Sequence, residues 1–386
     1  MFKILTLNKI SSAGLDNFDT KKYTYGLEAE NPDAIMVRSA SMHEMDFQSD
    51  LKAIARAGAG VNNIPIDKCT EKGIVVFNTP GANANAVKEM VICAMLLCSR
   101  KIIQANKWAE TLIENEDSLK AAEKGKSNFA GPEIKGKKLG VIGLGAIGGM
   151  VANAAIDLGM EVYGCDPFIS VDGAWGLSSQ VNHINTYSEL YSICDYITIH
   201  APFNSETKDM INSQTISQMK KGVRILNFAR GELVNNTDIL KAVEDGDVSC
   251  YITDFAAKEL LCKENILVFP HLAASTPESE ENCADMAATQ LIDFLENGNI
   301  KNSVNLPNVS SPRVTKFRIG VIHKNIPNML SAVTTALSEN DINIEEVTSK
   351  AKKDNAYTML DISNDCEDAV LKKLEQINGI YKALKF

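Results

Sequence analysis

Short apolar runs separated by helical stretches mark the first part of the chain. Four of them predict strands: Phe2–Leu7, Ala34–Val37, Ala53–Arg56 and Val75–Asn78. Glycine and proline between the runs indicate turns. Apolar residues at helical spacing then predict a helix over 86–103. Strands that alternate with helices favour a parallel α/β sheet.

A second series of apolar runs follows a charged stretch, 110–135, that predicts a helix and a loop. These runs do not alternate with polar residues, which is typical of strands buried on both faces. They lie at Leu139–Ile142, Glu161–Cys165, Tyr196–His200, Val223–Phe228, Tyr251–Thr253 and Ile266–Phe269. The pattern predicts a doubly wound parallel sheet.

The C-terminal part has a different pattern. A long helix is predicted over 277–297, and the Asn-, Ser- and Pro-containing segment 302–312 is interpreted as a linker. Four strands and two helices follow in the order βαββαβ, which suits a ferredoxin-like sandwich. The strands are Phe317–Ile322, Asn343–Ser349, Ala356–Ile362 and Ile380–Lys385, and the helices are Pro327–Glu339 and Cys366–Ile377.

Composition narrows the class of protein. The 386 residues suffice for two or three domains, and the net charge of −10 argues against a nucleic-acid-binding protein. No run approaches the roughly 20 apolar residues of a membrane span. The chain has nine cysteines without a Cys-x-x-Cys pair, which disfavours a metal site. We therefore expect a cytoplasmic protein with reduced thiols and no membrane contact.

A glycine-rich loop follows the predicted strand Leu139–Ile142. Gly143, Gly145 and Gly148 form the pattern G-x-G-x-x-G before a helix, an arrangement that binds a dinucleotide pyrophosphate. Asp166, about 20 residues further on, is placed to bind ribose hydroxyls and to repel a 2′-phosphate. The sequence therefore predicts NAD rather than NADP. The alternative is a plain glycine turn with a surface aspartate.

Three polar residues follow predicted strands whose carboxyl ends share one sheet edge. They are Arg230, Glu259 and His271. Hydride transfer from a hydroxyl needs a base for the proton and a cation for the carboxylate. Each residue alone could equally cap a turn or form a surface ion pair, and Glu259 could lie in a solvated turn. Their occurrence together beside a dinucleotide loop favours catalysis.

These motifs together resemble the D-2-hydroxyacid dehydrogenase family. The similarity rests on the glycine loop, His200-Ala201-Pro202, Asn227–Gly231 and Pro270–Thr276. It implies a Rossmann-type cofactor domain, 101–284, inserted in a flavodoxin-like substrate domain built from 1–100 and 285–312. By resemblance Arg230 binds the substrate carboxylate and Glu259 pairs with His271, the general acid/base. Leu260 stands where relatives often have proline.

The same resemblance implies which residues contact the cofactor, with Asp254 against the nicotinamide carboxamide. The implied NAD contacts are Gly143, Gly145, Ala146, Ile147, Gly148, Asp166, His200, Ala201, Pro202, Ala229, Asp254 and Ala274. The segment between Trp108 and Phe129 is longer than in the common family version. It is interpreted as a lid, an interface element or a neutral insertion.

Three N-terminal motifs lie at 37–39 (Val-Arg-Ser), 56–63 (Arg-Ala-Gly-Ala-Gly-Val-Asn-Asn) and 78–81 (Asn-Thr-Pro-Gly). They resemble the branch of this family that oxidises 3-phosphoglycerate with NAD, the first step of L-serine biosynthesis. The resemblance implies that Arg38 and Arg56 bind a phosphate and that backbone amides cradle a carboxylate. The implied substrate-binding residues are Arg38, Ser39, Arg56, Gly58, Ala59, Gly60 and Val61. A structural salt bridge is the alternative role for Arg38.

The unit 313–386 resembles an ACT domain, a small regulatory module that binds amino acids. His323, Asn325 and Asn343 match positions that hold L-serine in serine-inhibited relatives, and Asn328 stands where the pattern usually has glycine. The resemblance implies a homodimer or homotetramer with L-serine as an effector. Two other functions remain open: a glyoxylate or hydroxypyruvate reductase, and a non-catalytic NAD-sensing protein.

Overall fold

The computed structural model describes residues 1–386. The chain divides into two compact units, one made of Met1–Asn83 with Pro277–Phe386 and the other of Ala84–Thr276. No helix has both the length and the apolar character needed to span a membrane.

The first unit contains a five-stranded parallel sheet of order β2-β1-β3-β4-β5. Its strands are β1 (Phe2–Leu7), β2 (Tyr23–Gly26), β3 (Ala34–Val37), β4 (Ala53–Arg56) and β5 (Val75–Phe77). All four residues of β3 are buried, as expected for a strand covered on both faces. The sequence pattern missed β2 because it is an edge strand in which only Tyr23 is buried, so it lacks an apolar run.

Three helices belong to this unit's parallel sheet: α1 (Ser12–Leu15), α2 (Ile66–Glu71) and α11 (Pro277–Asn297). The long helix α11 packs its apolar stripe, including Ala284, Leu291 and Phe294, against one face of the sheet. A second apolar cluster that includes Ile35, Phe47 and Ile74 covers the other face. The sheet is therefore buried on both sides, and its strand ends are the places where polar groups reach solvent.

The second unit contains a seven-stranded parallel sheet of order β12-β11-β10-β9-β6-β7-β8. Its strands are β6 (Lys138–Ile142), β7 (Glu161–Cys165), β8 (Asn182–His183), β9 (Tyr196–Ile199), β10 (Val223–Asn227), β11 (Val248–Thr253) and β12 (Ile266–Val268). The chain order reverses between β6 and β9, where a doubly wound sheet forms its binding crevice. The predicted doubly wound parallel sheet is confirmed.

Eight helices accompany this sheet. They are α3 (Ala84–Arg100), α4 (Ile102–Glu110), α5 (Ser118–Gly125), α6 (Ala146–Asp157), α7 (Val171–Trp175), α8 (Tyr187–Ile193), α9 (Ser213–Ile216) and α10 (Asn236–Glu244). The helix predicted over 86–103 ends at Arg100, because Lys101 adopts a left-handed conformation with φ 46°. The stretch 110–135, predicted as one helix and a loop, holds the last residue of α4, all of α5 and two 3-10 segments, Thr111–Glu114 and Lys126–Phe129.

The C-terminal part of the first unit is a four-stranded antiparallel sheet of order β14-β15-β13-β16. Its elements are β13 (Phe317–Lys324), α12 (Met329–Ser338), β14 (Ile344–Lys352), β15 (Asn355–Ile362), α13 (Asp368–Glu375) and β16 (Ile380–Lys385). Both helices cover one face, where Val321, Val333 and Leu374 share a core. The predicted βαββαβ order is confirmed.

The other face of this antiparallel sheet packs on the parallel sheet of the same unit. Tyr357 lies in one apolar cluster with Phe77 and Phe294, and its hydroxyl donates to Gly298 O at 2.8 Å. Lys382 donates to Ser49 O at 2.6 Å and to Leu51 O at 2.7 Å. The two sheets therefore share a continuous core.

The division into units differs from the expected boundaries at 100/101 and 284/285. Helix α3 packs Val91 and Met95 into the core of the second unit, whereas α11 packs on the first sheet. The segment 302–312, interpreted as a linker, is also bonded into the first unit. The buried side chain of Asn305 accepts from Val76 N at 2.9 Å and donates to Ile74 O at 2.9 Å.

Candidate active site

The glycine loop joins β6 to α6 at the point where the strand order reverses. Gly143 has φ 87°, and a Cβ there would lie 2.8 Å from His200 O. A Cβ on Gly148 would overlap the carbonyl oxygen of Gly143, whereas one on Gly145 would meet no protein atom within 4 Å. Two glycines therefore permit packing, and Gly145 leaves space for a ligand.

The first turn of α6 presents free backbone N–H groups beside that space. The first helical hydrogen bond runs from Gly149 N to Gly145 O at 2.9 Å, and Gly145 caps the helix without a side-chain bond. Unpaired amides and the positive end of a 12-residue helix attract an anion such as a pyrophosphate. Ala146 and Ile147 occupy this turn.

Asp166 follows β7 and ties it to the glycine loop. Its carboxylate accepts from Leu144 N at 2.8 Å and from Phe168 N at 2.9 Å. The adjacent cavity has a volume of about 390 Å³, and its lining contains Asp166 and Asp172 but no lysine or arginine. This charge pattern suits a ribose with free hydroxyls and disfavours a 2′-phosphate.

His200, Ala201 and Pro202 follow β9, and His200 lies against the glycine loop through its backbone. The ring Nε2 lies 2.9 Å from Thr198 Oγ1, while Nδ1 is buried without a partner. Burial lowers the pKa of His200 to about 4, so its ring is neutral near pH 7. None of the three residues lines the cavity beside Gly145.

Arg230 follows β10 in a turn that Asn227 holds in place. The buried Asn227 donates to Arg230 O at 2.8 Å and accepts from Ala229 N at 3.2 Å. The Arg230 guanidinium donates to Ala229 O at 2.7 Å and forms no ion pair with a carboxylate. Its positive charge is therefore available to an anionic ligand.

His271 lies in a loop that Asp254 organises. The buried carboxylate of Asp254 accepts from Leu272 N at 2.7 Å and from Ala273 N at 3.0 Å. His271 itself has φ 56° and packs edge-on against Phe255, with ring centroids 5.4 Å apart. It lines an open cavity of about 750 Å³ together with Gly231 and Asn236. The imidazole is therefore accessible at a carboxyl-terminal sheet edge.

In the first unit, Arg38 follows β3 and Arg56 ends β4, so neighbouring strands bring the two arginines together. Arg56 Nε donates to Arg38 O at 3.0 Å, and the Arg38 guanidinium lies 2.6 Å from the Glu280 carboxylate. Gly58, which follows Arg56 in the loop after β4, has φ 157°, a backbone conformation that residues with a side chain rarely adopt.

The loop after β4 exposes backbone amides next to this arginine pair. Gly58 N donates to Arg56 O at 2.9 Å, so this predicted ligand-binding amide is already used. Asn78 fixes the loop by donating to Ala59 O at 2.6 Å. The amides of Ala59, Gly60 and Val61 donate to no protein acceptor. The N–H of Ser39 donates to Asn8 Oδ1 at 3.1 Å.

Comparison with known proteins agrees with this geometry. Residues 92–275 match the family model of the D-isomer specific 2-hydroxyacid dehydrogenase NAD-binding domain. The chain is 32% identical over 338 residues to D-3-phosphoglycerate dehydrogenase of Bacillus subtilis, a match that covers 82% of this chain and 62% of the relative. Residues 92–275 thus belong to the NAD-binding domain family of the D-2-hydroxyacid dehydrogenases. Its cofactor is NAD.

Two further relatives are similar over most of this chain. D-3-phosphoglycerate dehydrogenase of Synechocystis is 35% identical over 340 residues, which cover 82% of this chain and 58% of the relative. The NAD+-bound 3-phosphoglycerate dehydrogenase structure of Entamoeba histolytica superposes with a TM-score of 0.60 at 28% identity, covering 79% of this chain and 98% of that chain. The chain spans less than two thirds of the length of the Bacillus subtilis and Synechocystis relatives.

One contact implied by the family resemblance is absent. Glu259 does not reach His271; its carboxylate is exposed and accepts from Asn236 Nδ2 at 2.8 Å. Backbone and Asn236 hydrogen bonds hold the pKa of Glu259 below its usual value. The next residue, Leu260, is buried in the core of the second unit, and the short 3-10 segment Lys258–Leu260 packs next to α10, which carries Asn236.

The role expected for Asp254 also changes. Both of its oxygens accept backbone N–H groups of the His271 loop, so Asp254 positions that loop rather than presenting a free carboxylate. Ala274, in the same segment, packs against the apolar core of the second unit. The sequence analysis assigned no role to Asn227 and Asn78, although each ends or directly follows a strand beside a predicted site.

The three residues expected to hold an effector are not joined by any mutual contact. His323 is buried, with Nε2 2.8 Å from Thr358 Oγ1 and Nδ1 2.8 Å from Lys324 O, and burial lowers its pKa. Asn325 donates to Lys353 O at 3.0 Å and Asn343 to Glu345 Oε1 at 2.7 Å. Asn328 has φ 70°, a conformation that favours glycine and that asparagine tolerates.

Proposed function

We propose that this dehydrogenase oxidises 3-phosphoglycerate to 3-phosphohydroxypyruvate with NAD, the first step of L-serine biosynthesis. The observation that carries the proposal is the pair of arginines at the ends of β3 and β4, next to free amides of residues 59–61. A 2-hydroxyacid without a phosphate would need the carboxylate-binding groups but not this additional positive charge.

Each polar group has a role in the proposed reaction. His271 accepts the proton of the substrate hydroxyl as general base, because its ring is exposed in an open cavity. Arg230 binds the carboxylate and polarises the developing carbonyl. Arg38 and Arg56 bind the phosphate. NAD, when bound, accepts the hydride. Glu259 has no part in this scheme, since its carboxylate is bonded to Asn236.

The test compares reduction of 3-phosphohydroxypyruvate with reduction of hydroxypyruvate by following NADH consumption. We expect kcat/KM to be at least about tenfold higher for the phosphorylated substrate, because one charge-assisted contact is worth roughly 1.5–3 kcal/mol. Arg38→Ala should remove most of this preference, whereas Arg100→Ala, an exposed arginine of the second unit, should retain it. Equal rates with both ketoacids would indicate another 2-hydroxyacid dehydrogenase. No turnover would favour an NAD-sensing protein.

We propose in addition that the C-terminal βαββαβ unit is an ACT-type regulatory module that binds L-serine. Its support is the fold order and the left-handed Asn328 at the start of α12. The side chains of Asn325 and Asn343 are exposed and can reach a ligand, whereas His323 is buried. Calorimetry with millimolar L-serine should detect binding that Asn343→Ala weakens; no heat of binding in the wild type would contradict the proposal.

We further propose a cytoplasmic homodimer or homotetramer. All nine cysteines are free thiols, which suits a reducing compartment. The edge strand β14 leaves one side unpaired, and an exposed edge is a template for pairing with a second chain. Light scattering on the purified protein tests the assembly, and a monomer at micromolar concentration would contradict it.

A further inference from the structure

Glu280 contacts Arg38, one of the two arginines that the proposed function assigns to the phosphate. Its Oε1 lies 2.6 Å from the guanidinium of Arg38. Glu280 belongs to the first turn of α11, a helix that packs on the same sheet as β3 and β4. A carboxylate of the protein thus sits where an anionic group of the substrate is expected.

A second arginine lies beside this contact. Arg56 extends along the backbone of Arg38, with Nε 3.0 Å from Arg38 O. Cys283, one turn after Glu280, is buried; burial raises the pKa of its thiol, while Thr79 and the charges of Arg56 and Arg38 act to lower it. The start of α11 therefore faces both arginines, and the helix N-terminus adds a further partial positive charge.

We propose that Glu280 is an internal substitute for the substrate phosphate: it neutralises Arg38 in the empty site and must be displaced when the phosphate binds. This inference rests on the proposed function, because it concerns what controls the affinity of the proposed phosphate site. The carboxylate would then weaken phosphate binding in two ways, by competing for Arg38 and by repelling the incoming anion.

A purely structural ion pair explains the contact less well. The two side chains are 42% and 43% exposed, and such surface pairs contribute little to stability. Helix α11 is already held by a buried apolar stripe that includes Ala284, Leu291 and Phe294. Because the contact is solvent-accessible and weak, a phosphate dianion can replace it.

The experiment measures binding of inorganic phosphate by calorimetry to the full-length protein and to Glu280→Gln. We expect the variant to bind phosphate about fivefold more tightly, which corresponds to roughly 1 kcal/mol. Glu280→Ala should give the same gain, since it also removes the carboxylate. Glu281→Gln is the matched control, because it removes one charge from the next, exposed residue of α11 and should bind as the wild type does. An unchanged or weaker affinity in both Glu280 variants would overturn the inference.

Kinetics separate this inference from the proposed function. Glu280→Gln should lower KM for 3-phosphohydroxypyruvate about fivefold, with little change in kcat and no change in KM for hydroxypyruvate. A wild type that does not turn over 3-phosphohydroxypyruvate would remove the proposed function, while the phosphate calorimetry would still decide on Glu280. Normal turnover with an unchanged KM in the variant would remove the role of Glu280 alone.

Discussion

At the scale of single residues, the sheet edge that carries the candidate site of the second unit depends on buried polar side chains that bind the backbone. Asp254 binds two amides of the His271 loop, and Asn227 binds both sides of the Arg230 turn. Both residues are buried, so an unpaired partner would cost free energy. The accessible charged groups are therefore oriented by buried neighbours.

Replacing His271 tests its assignment as the only general base. His271→Ala should lower kcat by about 10²–10⁴-fold, the usual contribution of such a group, while NADH binding measured by fluorescence stays unchanged. Glu259→Gln should lower kcat much less, because its carboxylate bonds to Asn236 and not to His271. A loss in Glu259→Gln as large as that in His271→Ala would show that the two residues meet during turnover.

His200 should make stability depend on pH. Its pKa is lowered to about 4 in the fold, whereas an unfolded histidine titrates near about 6.5. The unfolded chain then binds more protons between these values, so the free energy of unfolding falls as pH drops through this window, by up to roughly 3 kcal/mol. Urea denaturation at several pH values between 7 and 4 measures the free energy of unfolding and its pH dependence.

The matched variants for this prediction are His200→Gln and His183→Gln. The first removes the buried titrating group and should flatten this part of the pH dependence. The second replaces an exposed histidine and should leave the dependence as it is. The same slope in His200→Gln and the wild type would contradict the assignment.

At the scale of elements, the junction of β6 and α6 combines two opposite requirements. The helix must approach the strand closely at Gly148, and it must leave its first amides open at Gly145. Close packing leaves no room for a side chain at residue 148. At residue 145 only a bound ligand limits the size of the side chain.

Two alanine variants separate these requirements. Gly148→Ala should lower the free energy of unfolding by about 1–3 kcal/mol, because its Cβ would overlap Gly143 O. Gly145→Ala should keep the wild-type stability but weaken NADH binding, since only the ligand would meet its Cβ. Thermal unfolding and NADH fluorescence titration check both. A Gly145→Ala protein with normal NADH affinity would show that the pyrophosphate does not lie there.

At the scale of the whole molecule, the antiparallel sheet is part of the first unit and not a tethered appendage. Arg318 is 1% exposed, pairs with Asp361, and donates to Asn297 O at 2.9 Å and Pro312 O at 3.1 Å. One guanidinium thus joins β13, β15, the end of α11 and the segment 302–312. A ligand bound to this sheet would act on a body that also carries Arg38 and Arg56.

Removing one partner of this buried pair should be costly. Asp361→Asn leaves the Arg318 charge uncompensated and should lower the free energy of unfolding by about 3–5 kcal/mol. The double variant Arg318→Met, Asp361→Leu should recover much of that loss. Asp365→Asn, in the exposed pair with Lys385, should have little effect. Urea denaturation followed by circular dichroism measures all three, and a mild effect of Asp361→Asn would contradict the role of the pair.

The sequence alone determined the features that depend on local pattern. Apolar runs without alternation predicted the parallel strands, because both faces of such strands are buried. The spacing of Gly143, Gly145 and Gly148 predicted the dinucleotide loop, because each position has its own steric requirement. Strand ends also placed Arg230 and His271 at one sheet edge.

Only the tertiary structure decided which side chains meet. The burial of Leu260 directs Glu259 to Asn236, packing of α11 brings Glu280 to Arg38, and the antiparallel sheet buries Arg318. These contacts join residues far apart in sequence or depend on how a core residue packs. Local periodicity carries no information on them, because they follow from the packing of whole elements against each other.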